Sequence, residues 1–258
     1  MITSTSNNKI KNVIKLCTSS KARREQNAFV AEGVKMFIEA PLARIKEVFV
    51  SEDLAGRLGD ECLRKLEETG YETVSSQVFS KISDTVTPQG ILCVIEMDKQ
   101  DLKEVIDDHK DSRFKVLIVE NIRDPGNLGT MIRTMEAAGC NLMLASMGTV
   151  DVYNPKVIRS TMGSVYRIPV IYSDNLIRDL NILKESGVRL YAAHLKGRSY
   201  YNEIGYTDRT GILIGNEAAG LSDEVSAAAD ELVKIPMQGQ VESLNAAVAA
   251  ALLMFAIS

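Results

Sequence analysis

The sequence reads VLIVENIRDPGNLGTMIRTMEAA from residue 116 to residue 138. It opens with an unbroken apolar run, Val116-Leu117-Ile118-Val119, and continues through a turn signal, Asp124-Pro125-Gly126, into a helical segment over residues 128–138. An apolar run without alternation indicates a strand that is buried on both faces of a sheet. The stretch therefore predicts a strand, a loop and a helix of a parallel α/β unit.

The same pattern repeats towards the carboxyl terminus. Further apolar runs predict strands over residues 142–145, 190–193, 212–214 and 232–235. Other helical segments are predicted over residues 155–162, 176–185 and 223–229. Apolar strands that alternate with helices indicate a parallel sheet covered by helices on both faces. Ligands of such sheets bind in loops beyond the carboxyl ends of the strands, here the loops that follow residues 119, 193, 214 and 235.

Two of these loops carry side chains suited to chemistry. After the first strand, Asn127 is able to cap the following helix, and Arg133 lies inside it. This arrangement suits an anionic group, and it equally suits a capped helix with a surface arginine. After residue 214 comes Gly215-Asn216-Glu217, in which the glycine permits close approach of a ligand to the backbone. Glu217 at a strand end requires a partner, so this second loop is the more specific indication of a site.

The last predicted strand leads into a third polar loop. Ser243 is a good N-cap residue for a helix over residues 244–257, which contains no charge, and Asn245 falls in the first turn of that helix. The stretch fits a C-terminal core helix with an ordinary capping turn, and it fits the wall of a site. An Ala-rich, uncharged terminal helix also suits a subunit interface.

The amino-terminal part predicts a separate α/β unit over residues 1–97. Two helices are predicted within residues 1–40, the second with an apolar stripe from Phe29 to Ile38. Strands are predicted at residues 45–50, 73–74 and 90–95, and helical pieces at residues 60–70 and 78–82. Residues 98–113 are strongly charged and are interpreted as a linker or interdomain helix. The second domain then covers residues 114–258.

The charge is unevenly distributed along the chain. The net charge is −4, yet residues 1–24 carry six cations and no acid. A local basic segment on an acidic protein suits contacts with phosphate, and it also suits a solvated basic helix. The candidate phosphate contacts are Lys9, Lys11, Lys15, Lys21, Arg23 and Arg24.

Cysteine and histidine usage argues against a metal site. The four cysteines are far apart and there are only two histidines, so neither a zinc cluster nor a disulfide framework is predicted. This pattern fits a reducing, cytoplasmic setting. The polar amino terminus gives no sign of a signal peptide. The uncharged run over residues 243–258 is shorter than the ~20 residues that span a membrane, so no membrane partner is expected.

Several common catalytic motifs are missing from the sequence. No GxGxxG follows a strand, which removes support from a nucleotide-dependent dehydrogenase. There is also no GK[ST] phosphate loop, no GxSxG elbow and no HExxH. Neither histidine has a motif around it, so a histidine-based catalyst is not expected.

Three segments together resemble the sequence motifs of the SpoU/TrmH family of knotted RNA 2′-O-ribose methyltransferases. They are DPGNLG with Arg133-Thr134, then LIGNE with Gly220-Leu221-Ser222, then IPM with VESLN and Val248-Ala249-Ala250. Residues 154–164 are similar to the middle region of the family. Residues 1–97 resemble, less specifically, the ribosomal-protein-like RNA-binding domain that many members carry, through residues 29–33 and 88–91.

The resemblance implies both a fold and an activity. The fold is α/β, a carboxyl-terminal parallel-sheet domain with a deep trefoil knot behind a smaller α/β RNA-binding domain, an exception to unknotted chains. The implied activity is an enzyme that methylates RNA ribose with S-adenosylmethionine, most readily 23S ribosomal RNA. Members are dimers through this domain, with the terminal helix near the interface. The alternatives left open are a tRNA 2′-O-methyltransferase and a non-catalytic knotted RNA-binding protein.

The resemblance also implies roles for individual residues. The donor pocket maps to Gly215, Asn216, Glu217, Ile235, Met237 and Leu244, with a further wall from residues 194–197. The positions linked to catalysis or to holding the site are Asn127, Arg133, Glu217, Ser243 and Asn245. The chain departs from the family at Ala218, where glycine is usual, and alanine is strained there if the position needs a positive φ.

The mechanism predicted from this resemblance gives Arg133 an electrostatic role. A guanidinium with a pKa above ~12 is a poor base, so we interpret Arg133 as a clamp for phosphate or alkoxide. Asn127 orients it, and an RNA phosphate or Glu217 assists the removal of the hydroxyl proton. The amino-terminal domain is expected to bind the RNA.

Overall fold

The computed structural model describes residues 1–54, 58–85 and 87–257. The helices are α1 Asn8–Thr18, α2 Ser20–Gln26, α3 Val34–Glu39, α4 Asp60–Thr69, α5 Ser76–Ile82, α6 Leu102–Asp108, α7 Pro125–Ala137, α8 Pro155–Thr161, α9 Leu176–Glu185, α10 Asp223–Ala228 and α11 Ala246–Ala256. The strands are β1 Ala28–Glu32, β2 Ile45–Ser51, β3 Glu72–Val74, β4 Ile91–Glu96, β5 Phe114–Val119, β6 Leu142–Ser146, β7 Val170–Ser173, β8 Arg189–Ala193, β9 Ser199–Tyr200, β10 Arg209–Ile214 and β11 Glu231–Lys234.

The chain forms two compact units. The first comprises residues 1–98 and 151–166, and the second comprises residues 99–150 and 167–258. Within the ranges that the structure describes, no helix is long and apolar enough to cross a membrane.

The second unit is built on a seven-stranded sheet in the order β7-β6-β5-β10-β8-β11-β9, and its neighbouring strands pair in parallel. The central strand β5 is buried along its whole length, which explains its unbroken apolar sequence. One core cluster joins β5, β6, β8 and β10 to side chains of α6, α9 and α10, while α11 contacts α7 and β10. The predicted parallel α/β class is confirmed.

Two strands of this sheet lie outside the predicted set. β7 is only partly buried over three of its four residues, and β9 has two residues at the opposite edge of the sheet. β7 contains Val170, Ile171 and Tyr172 and was not predicted, whereas β9, with Ser199 and Tyr200 alone, is too short to give a pattern. Hydrophobic pattern therefore locates the centre of this sheet and misses its borders.

The first unit contains a four-stranded sheet in the order β1-β4-β2-β3. The prediction of a helix through Phe29 and Val30 is wrong, because Ala28–Glu32 is a strand that pairs antiparallel with β4. Asn27, in the left-handed conformation with φ 49°, ends α2 just before it. Four buried residues in a row fit a buried strand or a buried helix, and sequence periodicity does not separate the two.

Residues 151–166 pack in the first unit, although the sequence interpretation placed them in the second domain. Asp151 receives two hydrogen bonds from Arg23, and the Tyr166 hydroxyl donates to the Met36 carbonyl over 3.0 Å. The Tyr153 ring lies 4.7 Å from that of Phe29 between centroids. The first unit is therefore assembled from two separate stretches of chain.

The charged segment over residues 98–113 contains α6. This helix places Leu102, Val105 and Ile106 in the core cluster of the second unit. The segment interpreted as a linker or interdomain helix therefore contributes directly to a hydrophobic core.

Candidate active site

A cavity of about 440 Å³ opens beyond the carboxyl ends of β8, β10 and β11. Its size lies within the range of small-molecule sites, roughly 300–1,000 Å³. The structure places all six residues predicted for the donor pocket in its wall, together with Ser243. Part of the predicted wall over residues 194–197 also lines it, through His194, Leu195 and Lys196.

The wall offers polar main-chain groups among apolar side chains. Among the described residues, no acceptor is found for the main-chain N–H groups of Ile235, Met237 and Leu244. Unpaired donors beside a cavity are available to a ligand or to water. A nucleoside with acceptor nitrogens on its base and an apolar ring face fits such a wall, so the residues present suit S-adenosylmethionine. The described residues contain no group of three or more histidine, cysteine or acidic side chains able to hold a metal ion.

The loop after β10 owes its shape to Gly215. A Cβ at this position would lie 2.1 Å from backbone atoms of Gly220 and Leu221, so every other side chain is excluded. The sequence interpretation expected a ligand to approach this glycine, but the chain's own backbone occupies that space. Asn216 and Gly220 exchange main-chain hydrogen bonds of 3.0 and 2.9 Å, which closes the loop on itself.

Ala218 is unstrained in this loop. The positive φ falls on Gly220, at 70°, and Ala218 is absent from the residues with positive φ. The Asn216 side-chain oxygen accepts hydrogen bonds of 3.0 Å from the N–H groups of Ala218 and Ala219. The strain expected from alanine at this position is therefore not found.

Three predicted site residues are joined by hydrogen bonds between side chains. Asn245 Nδ2 donates to Asn127 Oδ1 over 2.9 Å, and Asn127 Nδ2 donates to Glu217 Oε1 over 3.0 Å. We call Asn245, Asn127 and Glu217 the amide–carboxylate chain. Asn245 and Asn127 are 118 positions apart in sequence, and Asn127 and Glu217 are 90 positions apart. The amide–carboxylate chain therefore links α11, α7 and the loop after β10.

Glu217 is the fixed end of the amide–carboxylate chain. Its carboxylate also accepts from the N–H groups of Arg123 and Asp124 over 3.3 and 3.2 Å, and from Asn216 Nδ2 over 3.3 Å. Burial by itself raises the pKa of Glu217, but the hydrogen bonds from Asn127 and from backbone N–H groups outweigh burial. The pKa of this carboxyl therefore lies below its ordinary value, which makes Glu217 a well-anchored anion and a weak base.

The two helix caps at the site differ from those predicted. Asp124 caps α7, with Pro125 in the first turn, and its side chain accepts from Asn127 N over 2.7 Å. Asn245 caps α11, since its side chain accepts from the N–H groups of Ala247 and Val248. The caps predicted at Asn127 and Ser243 are therefore wrong. An Asp followed by Pro is a start signal that could have identified the first cap.

The remaining predicted catalytic residues have open surroundings. Arg133 lies on α7 with an exposed side chain, and no hydrogen bond or ion pair to another described residue holds it. Ser243 is exposed in the cavity wall. The structure thus brings together Asn127, Glu217 and Asn245, and leaves the Arg133 guanidinium available to an outside anion.

The six predicted phosphate contacts of the first unit divide into two kinds. Arg23 is not available as the predicted phosphate contact, because it is only 3% exposed and donates to Asp151 and to the carbonyls of Leu16 and Cys17. A guanidinium that is buried and paired in this way is not accessible to RNA. The other five cations are exposed. Lys9 is paired with Glu47 and Glu72, and Lys21 with Glu25. Lys11, Lys15 and Arg24 have no ion-pair partner among the residues that the structure describes.

Sequence comparisons match both parts of the chain to described families. Residues 115–255 match the SpoU rRNA Methylase family. Residues 7–93 match the MRM3-like substrate binding domain.

Similar proteins include enzymes that are named for ribosomal RNA. A Bacillus subtilis protein named 23S rRNA (guanosine(2553)-2'-O)-methyltransferase RlmP is 36% identical over 98% of this chain and 97% of its own. The mitochondrial rRNA methyltransferase 3A of Danio rerio is 29% identical over 96% of this chain and 67% of its own. The AdoMet-bound crystal structure of an rRNA methyltransferase from Sinorhizobium meliloti aligns with a TM-score of 0.84 and 32% identity, over 99% of this chain and 96% of that one. The chain therefore belongs to the SpoU rRNA methylase family.

Proposed function

We propose that this protein methylates a ribose 2′-hydroxyl of 23S ribosomal RNA with S-adenosylmethionine as donor. The observation that carries the proposal is the cavity at the strand ends, whose wall contains every predicted donor residue, next to the amide–carboxylate chain. Family membership and the Bacillus subtilis and Sinorhizobium meliloti relatives support the same activity.

The chain's own residues position the reactants. The chemistry that S-adenosylmethionine supplies when bound is a methyl group activated by a sulfonium. Gly215, Asn216, Ile235, Met237 and Leu244 would hold it through main-chain groups and apolar contacts. Alignment of two reactants accounts for a large part of the acceleration in such displacements.

Arg133 is proposed as the clamp for the RNA. Its exposed guanidinium suits a phosphate or the developing alkoxide of the ribose. Glu217 is a poor candidate for the base, because its hydrogen bonds lower its pKa. We assign Glu217 the role of holding Asn127. An RNA phosphate held by Arg133 would orient the hydroxyl by accepting its hydrogen bond, and the proton passes to water, since a phosphodiester is a weaker base than a carboxylate.

The decisive experiment maps ribose methylation in ribosomal and transfer RNA from cells with and without the gene. A 23S site that loses its methyl group supports the proposal, and loss of a tRNA site supports the runner-up substrate instead. Calorimetry measures binding of S-adenosylmethionine to the purified protein. The absence of binding would exclude the proposed methyltransferase activity. Arg133→Lys with near-full turnover would rule out a bidentate clamp.

The first unit is proposed to bind the RNA through Lys11, Lys15 and Arg24, which are exposed and have no ion-pair partner within the described ranges. Alanine at all three positions is expected to weaken RNA binding and flatten its salt dependence, because a protein with fewer phosphate contacts releases fewer counterions when it binds. Point variants are preferable to removal of residues 1–97, since residues 151–166 pack against that part of the chain.

Three further properties complete the proposal. A homodimer through the second unit is supported by the uncharged helix α11, whose Val248 and Phe255 are 49% and 57% exposed. A trefoil knot is supported by the return of α11 onto α7 and β10 after β11 has joined the sheet beyond β8. We propose a cytoplasmic location by analogy with the Bacillus subtilis relative. Light scattering of Phe255→Glu tests the dimer, which should dissociate.

A further inference from the structure

The open edge of the seven-stranded sheet combines cations with an exposed aromatic ring. We call Lys196, Arg198, Tyr200 and Lys234 the basic edge. Lys234 on β11 is the register partner of Tyr200 on the edge strand β9, and its Nζ lies 4.8 Å from the centre of the Tyr200 ring. Lys196 and Lys234 also line the cavity of the candidate active site. The edge is therefore continuous with that site.

The charges of the basic edge are not neutralised by the chain itself. Within the described part of the chain, the side chains of Lys196 and Arg198 have no ion pair or hydrogen bond, and both residues are exposed. The neighbouring acid Glu231 is already held by Arg189 over 3.2 Å and by Ser199 over 2.7 Å. Glu203, in the turn after β9, is the one acidic residue in the sequence from residue 194 to residue 206. Cations consequently predominate around an aromatic ring that is 37% exposed.

We propose that the basic edge binds a single-stranded segment of the RNA substrate, with one base stacked on Tyr200 and adjacent phosphates on Lys196 and Arg198. An aromatic platform flanked by cations is the chemistry that recognises unpaired nucleotides. A strand held there lies beside the cavity that Lys196 and Lys234 line. The inference rests on the proposed function and adds a contact surface in the second unit to the cations of the first.

The edge strand itself argues against a protein occupant. β9 has only two residues, too few to template an added β-strand from a partner. The cations of the edge are complementary to a phosphate backbone, and the exposed Tyr200 ring offers a stacking face to a base. RNA is thus the occupant that the side chains favour.

The test measures binding of the full-length protein to a fluorescein-labelled oligouridylate and to transcribed 23S RNA. Tyr200→Leu is expected to weaken oligouridylate binding at least about fivefold, since stacking contributes strongly to each base. Tyr200→Phe keeps the ring face and should bind like the original protein. Arg198→Ala should lower the slope of log affinity against log salt by about 0.7, the value for one phosphate on a single strand.

The controls separate this surface from the donor site and from the fold. Neither Tyr200 nor Arg198 lines the cavity, so calorimetric affinity for S-adenosylmethionine and the unfolding midpoint should stay unchanged in both variants. Lys103→Ala, at an exposed lysine of α6, should leave the salt slope as it was.

Two results would overturn the inference. One is a Tyr200→Leu variant that binds both RNAs like the original protein. The other is a variant that changes the molecular mass in solution while RNA affinity is unaffected, which would make the edge a subunit contact. Failure of the proposed function looks different, because the unmodified protein would then bind no S-adenosylmethionine although RNA binding still depended on Tyr200.

Discussion

Two polar networks connect distant parts of this chain, and they lie in opposite environments. In the first unit, Arg23 reaches Asp151 across 128 positions and is 3% exposed. In the second unit, Asn127 bonds to Asn245, 118 positions away, and to Glu217, 90 positions away. These hydrogen bonds lie at an exposed surface. Both networks hold separate stretches together with a few hydrogen bonds.

The difference in burial separates stability from function. A charge that loses its partner in a buried place pays a desolvation penalty, so the arginine network should matter for folding. Amides and a carboxylate that lose a partner near solvent can turn to water instead. The amide–carboxylate chain should therefore matter for the position of groups at the cavity rather than for the free energy of unfolding.

The largest effect is expected for Arg23→Met. The change leaves the Asp151 carboxylate and the carbonyls of Leu16 and Cys17 without their donor, and should reduce the free energy of unfolding by about 3 kcal/mol. Urea denaturation measures it. Arg24→Met, at the exposed neighbouring position, is the matched control and should change stability by less than about 0.5 kcal/mol. Equal losses in both variants would mean that the buried network is unimportant.

Asn127→Ala should affect activity more than stability. It removes both hydrogen bonds at the centre of the amide–carboxylate chain and frees Glu217 and Asn245 to move. Misplacement of reacting groups by about 1 Å costs roughly 100-fold in rate, so we expect a loss of turnover of that order. Steady-state kinetics should show the loss in kcat, with the affinity for S-adenosylmethionine nearly retained. Thr130→Ala, at an exposed position of the same helix, should retain full turnover.

Asn245 offers a finer separation, because its two ends have different partners. Its oxygen caps α11 and its nitrogen donates to Asn127. Asn245→Asp keeps an acceptor for the cap but replaces the donor with an oxygen, so turnover should fall while stability is retained. Asn245→Ala loses both, with an additional destabilisation of about 1 kcal/mol. If Asp and Ala variants were equally destabilised, the cap would not explain the role of this residue.

The sequence predicts the centre of the fold better than its borders. β5, β6, β8 and β10 have apolar runs because the strands of a covered parallel sheet are buried on both faces. β11 was also predicted, although only Val233 of its four residues is buried. β1 is equally apolar, but the pattern of a short buried segment fits helix and strand alike, and the prediction there was wrong. Packing with residues 151–166 is a tertiary choice that no local pattern records.

The candidate site shows the same limit at the level of single residues. The resemblance selected Asn127, Glu217 and Asn245 one by one, but not the hydrogen bonds between them, because their spacing in sequence carries no information on distance. The cap at Asp124 was readable from the Asp-Pro pair. Arg23 differs from Arg24 only by the side of α2 on which it lies, and seven residues give too little periodicity to decide which side is buried.

The smallest expected effect concerns the pH dependence of stability. The pKa of Glu217 is lowered in the folded protein because hydrogen bonds to the carboxylate outweigh its burial. The carboxylate therefore contributes stability that is fully present above its unfolded pKa of about 4.3, and that is lost as the pH falls through the lower folded value. The difference in free energy of unfolding between the original protein and Glu217→Gln should be constant from pH 7 down to about pH 5, and should shrink below it. Glu242→Gln, at an exposed carboxylate of the same unit, serves as the control for the substitution itself. A difference that grew towards low pH would mean that burial outweighs the hydrogen bonds, and Glu217 would then return as a candidate base.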